Sequence, residues 1–223
     1  LSQLENLEVL KLKISKNSLG LQDKELIRDI MEQIVSMRLL KNLNIEFIVP
    51  GGDDDSEKLD EVIIPSLKTI FLKAQKLQKF SIHCNQMQNS RQAFMSILAS
   101  LARGRIASNL KKLRIDVGKF MPEECEFRQI TNFTERFLNI ETLKLMSICG
   151  LMSQSMQDFL ETVQNLENLK KFVEAGEASA IVISPKLMEE NSDLAIDLTF
   201  DGKEIPIWTF DEVFEMHSEI EEA

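Results

Sequence analysis

Few residues in this 223-residue chain have the type and spacing to do chemistry. There are two histidines, His83 and His217, and neither has a Cys or His at the spacing of a zinc site. His83 is followed by Cys84, but neighbours on a strand point to opposite faces, so the two make no base–nucleophile pair. Cys84 is expected in the core, Cys125 on a helix or its approach, and Cys149 in a turn. Three scattered cysteines are no disulfide framework and read as reduced thiols of an intracellular protein. The loop Gly51-Gly52-Asp53-Asp54-Asp55-Ser56-Glu57 is rich in acids but lacks the later ligands and terminal Glu of a calcium loop. It reads as a flexible insertion with helix-capping acids. Gly104 and Gly118 fall at helix or strand ends, where glycine permits positive φ. No glycine-rich phosphate loop occurs. The expectation is no catalytic residue, no metal ligand and no cofactor.

The elements around these residues follow a strict pattern. The chain holds 29 Leu and no Tyr. An apolar residue, two spacers, an apolar residue and then alternation recur five times: Leu7-x-x-Leu10-x-Leu12-x-Ile14, Leu40-x-x-Leu43-x-Ile45-x-Phe47, Leu77-x-x-Phe80-x-Ile82-x-Cys84, Leu110-x-x-Leu113-x-Ile115-x-Val117 and Ile140-x-x-Leu143-x-Leu145. The copies start 33, 37, 33 and 30 residues apart. A sixth start, Leu166-x-x-Leu169, follows after 26 and breaks at Lys171, where an apolar residue is due. Period two predicts a short strand with one buried face.

Between the copies the period is helical. Leu26, Ile27, Ile30, Ile34 and Met37 make one stripe, with Asp23 as the expected N-cap. Leu67, Ile70, Phe71 and Ala74 make the next, with Pro65 in a first helical turn. Phe94, Ile97, Leu98 and Leu101 follow Asn89 and Ser90. Phe127, Ile130, Phe133 and Phe137 make a fourth stripe, and Met156, Phe159, Leu160 and Val163 a fifth.

Alternating strands and helices allow a doubly wound sheet or a solenoid. The half-polar strands decide between them, because a doubly wound sheet buries both faces. With this pattern over residues 1–173 the chain resembles the leucine-rich repeat family, in its ribonuclease-inhibitor-like branch with a helix per repeat, as a degenerate array similar to those of protists. The resemblance implies an α/β horseshoe with parallel strands on the concave face and helices on the convex face. The family's Asn or Cys three residues after the last strand leucine is largely missing: only Asn85 occupies that place, against Ser15, Ile48, Gly118 and Ile148.

In that family partners dock on the exposed strand face. Carried over residue by residue, the face is Lys11, Lys13, Asn44, Glu46, Ser81, His83, Arg114, Asp116, Lys144 and Met146. The expected function is a non-catalytic protein–protein interaction scaffold with a protein partner. The alternative is a regulatory or substrate-recruiting portion of a larger enzyme, such as a kinase or ubiquitin-ligase subunit, suggested by a start within a leucine motif. The expected location is cytoplasmic, with cilium or cytoskeleton as the family alternative.

The net charge of −10 argues against general nucleic-acid binding, since phosphates require a basic face. The charge is not uniform. Residues 174–223 carry 14 acids and 2 bases, whereas residues 1–173 carry 22 and 24. Glu46 and Asp116 interrupt the strand cations and no aromatics interleave them, so nucleic acid remains unexpected. Residues 174–223 read as an acidic, atypical C-terminal cap and tail. Its strands are expected at Ala180–Ile183, Leu194–Phe200 and Ile205–Trp208, with an Asp201-Gly202 hairpin turn, a short helix over Phe210–Met216 and a frayed end over 218–223. No run approaches the ~18 apolar residues of a membrane-spanning helix.

Overall fold

The computed structural model describes residues 6–15, 21–48, 59–84, 87, 89–147, 158–159, 162–163, 165–174, 180–183, 199–200, 203–204 and 207–208. Strand and helix alternate as β1 (Val9–Ser15), α1 (Leu21–Val35), β2 (Asn42–Ile48), α2 (Leu59–Lys73), β3 (Lys79–Cys84), α3 (Ser90–Arg103), β4 (Lys112–Asp116), α4 (Glu124–Thr134) and β5 (Thr142–Leu145). Then come β6 (Lys171–Glu174), β7 (Ala180–Ile183), β8 (Thr199–Phe200), β9 (Lys203–Glu204) and β10 (Ile207–Trp208).

The fold is α/β, with β1 to β5 an all-parallel sheet in chain order and four helices as its crossovers. A parallel pair requires a crossover of a dozen or more residues, which each helix supplies. β6 extends the parallel order beside β5. β7 then pairs antiparallel with β6, and β10 lies parallel to β7. β8 and β9 form a separate antiparallel pair, so Thr199–Phe200 is partnered by Lys203–Glu204 and not by the expected strand Ile205–Trp208. Of that strand, Ile207–Trp208 joins β7. Asp201, Gly202, Ile205 and Pro206 lie outside the described residues.

The alternation settles which strand face is buried. Leu43, Ile45 and Phe47 of β2 are enclosed while Asn42, Asn44, Glu46 and Ile48 are half-exposed. β3, β4 and β5 repeat this, and Cys84 occupies a core position as predicted. The inward side chains share one core with the apolar stripes of the helices. Enclosing each such side chain contributes roughly 1.5–3 kcal/mol. Phe71 of α2 meets Phe80 of β3 edge to face, with ring centroids 4.9 Å apart, which fixes helix against strand. Successive helices pack side by side, α1 on α2, α2 on α3 and α3 on α4.

Caps and clamps set the helix positions. Asn89 caps α3, its Oδ1 accepting from the Gln92 N–H at 3.0 Å. Glu123 and Glu126 form a reciprocal capping box on α4. Arg91 ties the two helices by donating to Glu123 Oε1 at 2.7 Å and to the Met121 carbonyl at 3.0 Å. The Glu123 hydrogen bond holds the Arg91 guanidinium above its ordinary pKa.

The structure corrects several sequence expectations. Asp23 is the third residue of α1, not its cap, because the helix starts at Leu21. Leu26 is exposed and Met31 fills the stripe, since Met31 stacks one turn after Ile27. Pro65 lies inside α2, which starts six residues earlier. Val62 and Ile63 are buried, and helix before Pro65 is what carries them into the core. Gly118 has φ +96° as expected, whereas Gly104 is extended at φ −80°.

The sixth copy breaks at Glu174, which pairs with Leu145, rather than at Lys171. β6 aligns Lys171 with Thr142 and Phe172 with Leu143, so its motif is Leu169-x-x-Phe172. Every copy also has an apolar residue three places before its leading one: Leu4, Met37, Ala74, Ala107, Phe137 and Leu166. The template therefore fits three residues early. Of the fifth stripe, Phe159 and Val163 are helical and buried. Met156, Leu160, the loop 51–57, Asn85, Cys149, residues 194–198, the helix expected over 210–216, His217 and 218–223 lie outside the described residues.

Candidate partner-binding face

In-register pairing turns the outward strand residues into three rows across the sheet. The row nearest the strand starts is Val9, Asn42, Lys79, Lys112 and Thr142. The middle row is Lys11, Asn44, Ser81, Arg114 and Lys144. The far row is Lys13, Glu46, His83 and Asp116. Nine of the ten expected face residues thus stand together in two rows.

The tenth does not. Met146 is only 5 % exposed and is removed from the accessible face. β5 ends at Leu145, so strand alternation no longer governs Met146, which lies in the following turn with the buried Ser147. The Ser147 hydroxyl takes the Val117 N–H at 2.8 Å, and its carbonyl takes the Phe120 N–H at 2.9 Å.

The rows differ in charge. In the far row the groups pair along the sheet. Lys13 Nζ reaches Glu46 Oε1 at 3.4 Å, and His83 Nδ1 lies 2.7 Å from Asp116 Oδ2. Arg114 Nη2 also donates to Asp116 Oδ2, at 3.1 Å. His83 forms no hydrogen bond with Ser81 or with any other hydroxyl or thiol among the described residues.

A groove of about 450 Å³ runs over the other two rows, from Val9 on β1 to Thr142 and Lys144 on β5. Lys11, Lys79, Lys112, Arg114 and Lys144 line it with Asn42, Asn44, Ser81 and Thr142. No carboxylate lines it among the described residues, and the single ring there, Phe80, is 1 % exposed. Sequence reasoning missed the row that carries Lys79 and Lys112, because it began each strand at the second leucine. Running the alternation one step backward finds it.

Two ladders at the strand starts keep the rows aligned. The Glu8 carbonyl accepts from the N–H groups of Lys41 and Asn42, that of Lys41 from Gln78 and Lys79, that of Gln78 from Lys111 and Lys112, and that of Lys111 from Glu141 and Thr142. Side chains reinforce it where Lys41 meets Glu8 at 2.7 Å and Lys111 meets Glu141 at 3.6 Å. Beside it stands an asparagine ladder. Nδ2 of Asn109 donates to the Gln75 carbonyl at 2.9 Å, Asn139 to Ser108 at 2.6 Å and Asn168 to Leu138 at 3.0 Å. These asparagines stand just before the leading apolar residue, not at the place after the strand where the resembled family carries Asn or Cys. Asn109-Leu110, Asn139-Ile140 and Asn168-Leu169 were the available signal.

Among the described residues, no group of three His, Cys, Asp or Glu side chains could hold a metal ion, and no helix is long and apolar enough to cross a membrane. Cys125 is exposed on α4 and Cys84 buried on β3. No protein-family model matches the chain, and no curated protein matches its sequence.

Proposed function

We propose that this chain is a leucine-rich repeat array whose exposed strand face binds a protein partner, a scaffold rather than a catalyst. The repeat unit is one strand plus one helix, stepping about 30 residues, and the horseshoe belongs to this reading. The observation that carries it is the groove formed by five successive strands, whose lining side chains are already held in register by backbone hydrogen bonds. A preformed surface loses little conformational freedom when it binds, which favours affinity. The polar outward rows support the reading further, because a doubly wound sheet would have covered them.

The test is site-specific photo-crosslinking in cells, with a benzophenone amino acid replacing Ser81 in the groove or Lys68 on the helical layer, both accessible positions. The Ser81 probe is expected to capture a discrete protein set absent from the Lys68 probe. Equal capture at both positions, or capture at Lys68 alone, overturns the strand-face reading.

A further inference from the structure

The groove carries a more specific message than its position. Lys79 and Lys112 are exposed register partners on β3 and β4, and neither forms an ion pair among the described residues. Arg114 stands two residues along β4 from Lys112, and Lys144 is the register partner of Arg114 on β5. Four cationic side chains therefore cluster on three adjacent strands, with Lys11 at the β1 end. Among the described residues, the acids of this face stand in the far row, engaged with Lys13, His83 and Arg114.

We propose that the groove receives an acidic, extended peptide segment of a partner protein, lying across β1 to β5 over the Lys79–Lys112 and Arg114–Lys144 pairs. This rests on the scaffold reading and adds the chemistry of the partner. Neighbouring strands stand about 4.8 Å apart, so the groove spans about 19 Å, the length of roughly six extended residues. Carboxylates at alternate positions of such a segment meet the cations. Asn42, Asn44, Ser81 and Thr142 offer both donors and acceptors, which match peptide N–H and C=O groups. The half-exposed Val9 gives the β1 end an apolar contact.

A nucleic-acid strand fits less well. Its backbone phosphates would leave those acceptors unused, and among the described residues no exposed ring lines the groove for base stacking. Glu46 and Asp116 stand one row away, about 7 Å along the strand and within the screening length of about 8 Å at physiological salt. A polyanion wide enough to spread into the far row meets these carboxylates directly, whereas a peptide one strand wide remains over the two inner rows.

The experiment is fluorescence anisotropy with the full 223-residue chain and three labelled probes: an eight-residue Ser-Glu alternating peptide, its Ser-Lys counterpart and an eight-nucleotide thymidine strand. The acidic peptide is expected to bind, and to weaken at least tenfold for Lys79→Glu with Lys112→Glu. Lys79→Gln with Lys112→Gln should give an intermediate loss. Both double variants should keep the parent's urea midpoint, since both side chains are exposed. Binding should also fall as salt rises. No binding of the acidic peptide, binding indifferent to both double variants, or equal or tighter binding of the thymidine strand overturns the proposal. Binding that emerges only after residues 209–223 are removed overturns it too, assigning the groove to the chain's own acidic end. Continued Ser81 crosslinking in any of these cases leaves the scaffold reading standing with a partner of different chemistry. Loss of Ser81 crosslinking with peptide binding intact strikes the scaffold reading instead.

Discussion

His83 and Asp116 face each other across β3 and β4 with 2.7 Å between Nδ1 and Oδ2, and Arg114 holds the same carboxylate oxygen at 3.1 Å. One carboxylate thus serves two neighbours and stays turned toward the far row. Lys13 and Glu46 pair in the same row, on β1 and β2, at 3.4 Å. The two inner rows are left with cations and neutral polar groups, so charge is sorted across the face rather than mixed over it.

Asp116→Ala removes the shared acceptor and leaves Arg114 and His83 without it. The expected loss is about 1–2 kcal/mol, at the lower end for bonds to charged groups because Asp116 is part-exposed. Lys13→Ala, at a more exposed pair, should cost about 0–1 kcal/mol. Urea unfolding of both variants checks the order; equal losses would mean that the His83–Asp116–Arg114 group is no stronger than a surface pair.

The asparagine rungs can be tested at Asn139, whose Nδ2 meets the Ser108 carbonyl at 2.6 Å. Asn139→Ala should lower stability by about 1 kcal/mol. Asn139→Asp should be worse than Ala, since a carboxylate cannot donate and would face a carbonyl oxygen. An Asp variant as stable as the parent would show that the rung contributes nothing.

Ser147 is fully buried and satisfies the Val117 N–H at the end of β4. Ser147→Ala strands that donor in the core and should cost about 1–3 kcal/mol. The denaturation midpoint should fall with an unchanged slope, which distinguishes a lost hydrogen bond from a loosened fold.

Gly118 is tested by a double-mutant cycle with Ser90. At φ +96° any side chain is strained, and a Cβ there would overlap Ser90 Oγ and approach Ser90 Cβ to 3.2 Å. Gly118→Ala should cost at least ~1–2 kcal/mol from backbone strain alone. Adding Ser90→Ala should recover the part due to overlap and leave the backbone part. Strict additivity would count against a direct clash.

Much of this architecture is readable in the residues because period two and period 3.6 alternate so regularly. Leu43-x-Ile45-x-Phe47 could bury only one face. The failures have physical causes. Met146 continues the alternation on paper, but β5 stops at Leu145. Pro65 looks like a helix start, yet one missing N–H costs less than exposing Val62 and Ile63. Lys171 looks like a break only because Leu166 and Leu169 satisfy the template one step early. Of the candidate face, the middle and far rows follow from the strand pattern. The groove does not, since it depends on which outward residues the register places side by side.

The carbonyl ladder at the strand starts separates two properties that share one chain. Lys41 bonds to Glu8 and Gln78 to Lys41 in the same way, although the first step is 33 residues and the second 37. Crossover length can drift without shifting a row, because alignment is set at the strand entrance. Each outward position can likewise change its side chain without moving its neighbours. The face is therefore open to revision one residue at a time, while the framework that presents it stays the same.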